Sequence, residues 1–118
     1  MKKFLKGFYF AFNGIKYSFR TQLNFRIHGF LALIVIFLSY FLEIALYEWL
    51  WIIFAIALVL IVELINTAIE TLVDLVSPEF NVKAGLIKDI SAAAVLIAAF
   101  FALLIGFIIL FPKIIHAL

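Results

Sequence analysis

Between Asp89 and Lys113 the chain has no Asp, Glu, Lys or Arg, leaving the 22 residues Ile90 to Phe111 uninterrupted by charge. Crossing the hydrocarbon core of a bilayer takes a helix of about 20 residues, so this run is long enough to span a membrane. Backbone amides inside lipid must find their partners within the segment, and a run of this length does so as a helix. A second span is expected at about 47–69, with carboxylates at one end, and a first at about 27–42. The first is short, with 16 residues between Arg26 and Glu43, so it calls for bilayer thinning or for Arg26 to snorkel. Arg26 is equally placed to touch a phosphate.

Composition agrees. Hydrophobic residues make up 69% of the chain, mean hydropathy is +1.31 and there are 15 Phe, against roughly 45–50% apolar usage in soluble domains. Without linker, repeat or low-complexity tract, residues 1–118 read as one all-α, membrane-embedded domain. Cys is absent, which excludes disulfides, thiolate metal sites and Cys nucleophiles. At the N-terminus, Phe4, Phe8, Phe12, Ile15 and Phe19 recur every three or four residues against Lys2, Lys6, Asn13, Lys16 and Arg20. That pattern predicts an amphipathic surface helix over about 1–20, held to anionic lipid, rather than a cleavable signal peptide.

Of nine Lys and Arg, six precede the first span, two (Lys83, Lys88) lie between the second and third, and Lys113 alone follows the third. The positive-inside rule then puts the N-terminus in the cytoplasm. On that topology Glu63, Glu70, Asp74, Glu79 and Asp89 gather at the cytoplasmic interface. Tyr40, Tyr47, Trp49 and Trp51 form an aromatic belt at the opposite one. Ser77-Pro78 is expected to end the second helix, Gly85 to loosen the following loop, and the third helix to restart near Ile87 to Asp89. Ser91 to Ala94, with Ala98, Ala99, Ala102 and Gly106, supplies a small-residue face suited to close helix packing. A three-span chain does not easily enclose a polar site by itself, so oligomerisation is expected.

The chemistry sits where the second span ends. Glu63, Asn66, Glu70 and Asp74 fall on one helical stripe, and a carboxylate at the edge of hydrocarbon costs several kcal/mol unless it faces a partner, a metal or water. Lys88-Asp89 opens the next helix at the same depth. Carboxylates that can hold Mg²⁺, a Lys that can neutralise phosphate and a Glu that can act as base suit phosphoryl transfer to something dissolved in the membrane. The same groups suit a small oligomeric cation or proton conduit without enzymatic activity, although the acids cluster at one interface instead of crossing the bilayer. A lysis-type pore gives no reason for the acidic stripe. No Walker-type or Gly-rich phosphate loop is present. His28 reads as an interfacial side chain, since no second His or carboxylate neighbours it in the sequence.

Glu63-Leu-Ile-Asn-Thr-Ala-Ile-Glu-Thr-Leu-Val-Asp74 followed by Lys88-Asp-Ile-Ser-Ala-Ala-Ala-Val-Leu-Ile97 closely resembles the E-x-x-N-[ST]-A-I-E-x-x-[VI]-D and K-D-x-x-[SA]-A-A-V-L signature of the small bacterial integral-membrane diacylglycerol kinase family. That family includes the undecaprenol kinases, and Asn24-Phe-Arg-Ile-His28 looks more like their branch. The resemblance implies a homotrimer of three-span subunits with a surface helix, in the bacterial cytoplasmic membrane with the active site on the cytoplasmic side. It implies ATP with Mg²⁺ as phosphoryl donor and a lipid alcohol of the inner leaflet, undecaprenol or diacylglycerol, as acceptor. No nucleic-acid partner is implied. By the same resemblance Glu63 is the general base, Asn66 an orienting amide, Glu70 a Mg²⁺ ligand, and Glu79, Lys88 and Asp89 nucleotide contacts. Asp74 matches a polar position near the metal. One departure stands out: where the family usually carries a second metal-binding Glu, this chain has Gln22, which can ligate through its carbonyl but brings no charge.

Overall fold

The structure, a computed structural model, describes residues 1–118, and they form four helices and no strand. Helix α1 runs Lys2–Thr21, α2 Leu23–Phe41, α3 Leu46–Val76 and α4 Val82–Ala117. The last three are each long and apolar enough to cross a membrane, and the chain is an integral membrane protein. Both long helices exceed the expected spans. At 1.5 Å per residue α3 is about 46 Å long and α4 about 54 Å, well over the roughly 30 Å of hydrocarbon. Their surplus turns carry the polar residues Glu70, Asp74, Lys83 and Lys88 beyond the apolar zone.

Each helix ends for a local reason. Gln22, extended at φ −113° and ψ 109°, separates α1 from α2. Arg26 Nη1 then reaches back to the carbonyls of Phe19 (2.9 Å) and Arg20 (3.0 Å), satisfying acceptors that the last turn of α1 leaves open. Arg26 therefore closes the α1–α2 elbow instead of snorkelling or waiting for phosphate. Glu43, at φ 52°, makes the left-handed turn into α3. Pro78 stops α3 at Val76, as its sequence position predicts. The restart of α4 comes earlier than expected: Asn81 Oδ1 accepts from the amides of Lys83 (2.9 Å) and Ala84 (3.3 Å), an N-cap that starts the helix at Val82. Gly85 is thus a helical residue and not a loosened loop.

Packing follows stripes. Helix α3 packs chiefly on α4 and secondarily on α2, using Ile52, Ala55, Val59, Glu63, Asn66 and Val73, against Ser91, Val95, Ala98, Ile105 and Leu110 of α4. Of the small-residue face, Ser91 and Ala98 lie inside the subunit, Ala99, Ala102 and Gly106 are half-buried, and Ala92, Ala93 and Ala94 are exposed. The dry core, Ile44, Ile52, Ala55, Ile105 and Leu110, occupies the end next to the α2–α3 turn, and Trp49 turns inward to pack on it. Trp49 therefore leaves the expected aromatic belt, whereas Tyr40, Tyr47 and Trp51 stay exposed. At the same end Glu48 accepts from the Ala45 amide (2.9 Å) and pairs with Lys113 (3.2 Å), tying the start of α3 to the end of α4.

Much surface is left over. The chain exposes 9114 Å², against roughly 6,500 Å² for a compact soluble monomer of this mass. Most of the excess is Phe, Leu and Ile, as a lipid-facing surface requires.

Candidate active site

Glu63 is the most enclosed ionisable side chain, 1% exposed, at the point where the apolar part of α3 gives way to polar turns. Its backbone carbonyl accepts the hydroxyl of Thr67 (3.0 Å) and Thr71 repeats the device onto the carbonyl of Thr67 (2.8 Å). Hydroxyls that bond back to their own helix can be buried without further partners, so the acidic stripe has a non-ionic flank. No Lys or Arg approaches Glu63. What does is His28 of α2, whose Nε2 lies 3.3 Å from Glu63 Oε1. The contact is close enough for an ion pair but not aligned as a hydrogen bond, so the buried Oε1 has no donor. His28 is accordingly a site residue, contrary to the expectation of an isolated interfacial side chain. Its signal lies in the fold: α2 and α3 pack as a hairpin about the turn at residues 42–45, which lays the helix that carries His28 against the one that carries Glu63.

One turn on, Asn66 donates Nδ2 to Glu70 Oε1 at 3.3 Å, while its own Oδ1 is buried without a partner. Glu63, Asn66 and Glu70 thus form a continuous line on α3, with two enclosed acceptors unsatisfied. Buried acceptors without donors cost free energy, and the ligands that would relieve them are a hydroxyl, an N–H group or a cation. Beyond this line, Lys88 Nζ pairs with Asp74 Oδ1 at 2.6 Å, bridging α3 and α4. Of the remaining candidates, Asp89 and Glu79 are exposed and Gln22 is half-buried at the α1–α2 elbow. No side-chain hydrogen bond or ion pair joins these three to Glu63, Asn66 or Glu70. Nor does any group of three His, Asp or Glu converge within one chain to hold a metal.

Two grooves flank α3. One of about 280 Å³ lies between α3 and α4 beside Ile65, Asn66, Ile69, Ile90 and Ser91. The other, about 660 Å³, opens between α1 and α3 along Gly14, Tyr17, Ser18, Leu64, Thr67 and Leu72. Both are mainly apolar; Asn66 lines the first, and neither is lined by Glu63 or Glu70.

The family described as prokaryotic diacylglycerol kinase matches residues 9–110. The chain is 35% identical over 113 residues to an undecaprenol kinase of Bacillus subtilis, an alignment covering 96% of this chain and 92% of that protein. It is 39% identical over 109 residues to a diacylglycerol kinase of Synechocystis, spanning 92% of this chain and 62% of that protein. With a diacylglycerol kinase of Escherichia coli the identity is 30% over 108 residues, 92% of this chain and 88% of that one.

Proposed function

From the premise that the chain belongs to the prokaryotic diacylglycerol kinase family and is a lipid kinase, we propose that it transfers the γ-phosphoryl group of ATP, brought with Mg²⁺, to the primary hydroxyl of undecaprenol. The reaction would take place at the cytoplasmic face of the bacterial inner membrane. The observation that carries this reading is the pair of enclosed, unsatisfied acceptors, Glu63 Oε1 and Asn66 Oδ1, with Asn66 also lining the apolar groove between α3 and α4. A lipid alcohol lying along such a groove presents one hydroxyl donor at that point. Undecaprenol is preferred to diacylglycerol because the relative aligned over 92% of its own length is an undecaprenol kinase, and because Asn24 to His28 resembles that branch.

Phosphoryl transfer asks a protein mostly for positioning and charge neutralisation. Glu63 takes the proton of the attacking hydroxyl. Asn66, bonded to Glu70, holds that carboxylate in place. Lys88 exchanges Asp74 for a phosphate oxygen, and Asp89 and Glu79, exposed at the same end, contact the nucleotide. Glu70, with Gln22 and Asp74, would hold the Mg²⁺, which neutralises phosphate charge. No three carboxylates or imidazoles converge within one chain, so nucleotide phosphate oxygens would have to supply the remaining ligands for such an ion. Because Glu79 and Asp89 stand exposed and apart from the Glu63 line, a homotrimer with sites between subunits is part of the proposal.

The test is ATP-dependent phosphorylation of undecaprenol and diacylglycerol, side by side in mixed micelles, with and without Mg²⁺. Glu63→Gln, which keeps size and burial, is expected to lower turnover by a factor on the order of 10² or more. Full turnover in that variant would refute the assignment of the base, and the lipid phosphorylated faster identifies the substrate.

A further inference from the structure

The proton that Glu63 accepts has to leave before the next turnover. Glu63 is 1% exposed, its Oε1 is fully enclosed, and apart from His28 the charged group acting on it is Glu70. Glu70 is tied to Asn66 and is the proposed metal ligand, so it is poorly placed to receive a proton. His28 differs on each count. Its Nε2 is 3.3 Å from Glu63 Oε1, and its side chain keeps 24% of its surface exposed, so the imidazole touches the enclosed carboxylate without being enclosed itself.

We infer that His28 is the group through which the proton of the lipid hydroxyl leaves Glu63. The inference rests on the kinase reading above and adds a step to it. As the hydroxyl oxygen bonds to the γ-phosphorus, the bond from that phosphorus to the bridging oxygen breaks and its electron pair leaves with ADP. The hydroxyl proton passes to the Glu63 carboxylate. Rotation of the carboxyl group presents the proton to His28 Nε2, and the imidazolium releases a proton to water from the exposed part of its ring. Glu63 is again a carboxylate and His28 neutral, so lipid alcohol plus ATP has become lipid phosphate, ADP and one proton in water. Imidazole is the side chain suited to this exchange near neutral pH. The absent hydrogen-bond alignment is no obstacle, because catalytic contacts commonly tighten only once substrate is bound.

The experiment compares wild type, His28→Ala and His28→Gln in mixed micelles of the better lipid, measuring kcat, both KM values and MgATP binding over a range of added imidazole. Turnover in both variants is expected to fall on the order of 10²-fold, the low end of what acid–base groups contribute, with KM values changing by less than about twofold. Imidazole should restore His28→Ala in proportion to its concentration, since the small base fits the space the side chain vacates. Gln can donate a hydrogen bond to Glu63 but cannot carry a proton, so His28→Gln should remain as slow as His28→Ala without imidazole. Wild-type turnover matched by His28→Gln would overturn the relay alone and reduce His28 to a support for the carboxylate. So would a His28→Ala protein that binds MgATP normally yet is slow at every imidazole concentration. A wild type that phosphorylates neither lipid would remove the kinase reading, and the relay with it.

Discussion

Asn66 does two things with one amide: it donates to Glu70 and leaves its own oxygen buried and unpartnered. Removing the donor in Asn66→Leu should free the Glu70 carboxylate and raise the Mg²⁺ concentration for half-maximal phosphorylation about tenfold, the size expected for losing an outer partner of a metal ligand. Gln22→Glu should shift the same titration the opposite way, because it adds charge at the proposed metal site. A titration that neither variant moves would take both residues out of metal binding. Lys88 poses a different choice, between structural tie and phosphate contact. Its pair with Asp74 is short, but the two side chains are 39% and 66% exposed, and such solvent-screened surface pairs contribute little to stability. Lys88→Met is therefore expected to leave the thermal midpoint nearly unchanged while raising the KM for ATP about tenfold, roughly the loss of one charge-assisted bond. A large fall in midpoint with an unaltered KM would make the residue a tie.

At the scale of the helix, the short connections decide how the site is assembled. Glu43 is the one non-glycine residue with positive φ, 52°, in the turn that brings α2 back against α3 and so sets His28 beside Glu63. A side chain in that conformation costs about 1–2 kcal/mol relative to glycine, and glycine is the usual occupant after a helix end. Glu43→Gly should raise stability in detergent by about 1 kcal/mol, read as a higher midpoint with catalytic constants unchanged; a lower midpoint would show that the Glu43 side chain holds the turn. The elements themselves are legible in the sequence. The charge-free run to Lys113 marks α4, Pro78 marks the end of α3, and the Phe spacing marks α1, because each is a local consequence of lipid, proline geometry or periodicity. The start of α4 lies before the glycine that suggests a loop, because the Asn81 cap fixes it at Val82. Trp49 departs from the aromatic belt because a tryptophan at a membrane edge looks the same in sequence whether it faces lipid or packs on the core. Within the site, the stripe Glu63, Asn66, Glu70 is visible because it belongs to one helix. The neighbours His28 for Glu63 and Asp74 for Lys88 required two helices to be laid side by side, which no periodicity encodes.

The whole molecule carries a polar line that it covers on some sides and not on others. Helix α2 supplies His28 and α4 supplies the partner of Asp74, but Glu79 and Asp89 stand exposed with no hydrogen bond to the Glu63 line. Grooves run along both flanks of α3. In water such surface would drive collapse; in lipid it is stable against acyl chains, so the remaining incentive to associate lies with small residues such as Ala92 to Ala94 and with polar groups lacking partners. A site completed by a neighbouring subunit answers both. If the base acts from one subunit while the nucleotide is held by the next, two proteins slowed at different residues should complement each other when co-assembled and assayed at ATP well below the wild-type KM, where Lys88→Met is slow. Mixing Glu63→Gln with Lys88→Met in equal amounts, through dissociation and reassembly in detergent, is expected to recover up to about a quarter of wild-type turnover, since in a closed ring with random mixing one interface in four pairs an intact base with an intact lysine. Each variant carried alone through the same procedure should show only its own residual rate. Recovery absent from the mixture, while wild type survives the procedure, would place base and lysine in the same subunit's site and leave association to packing alone.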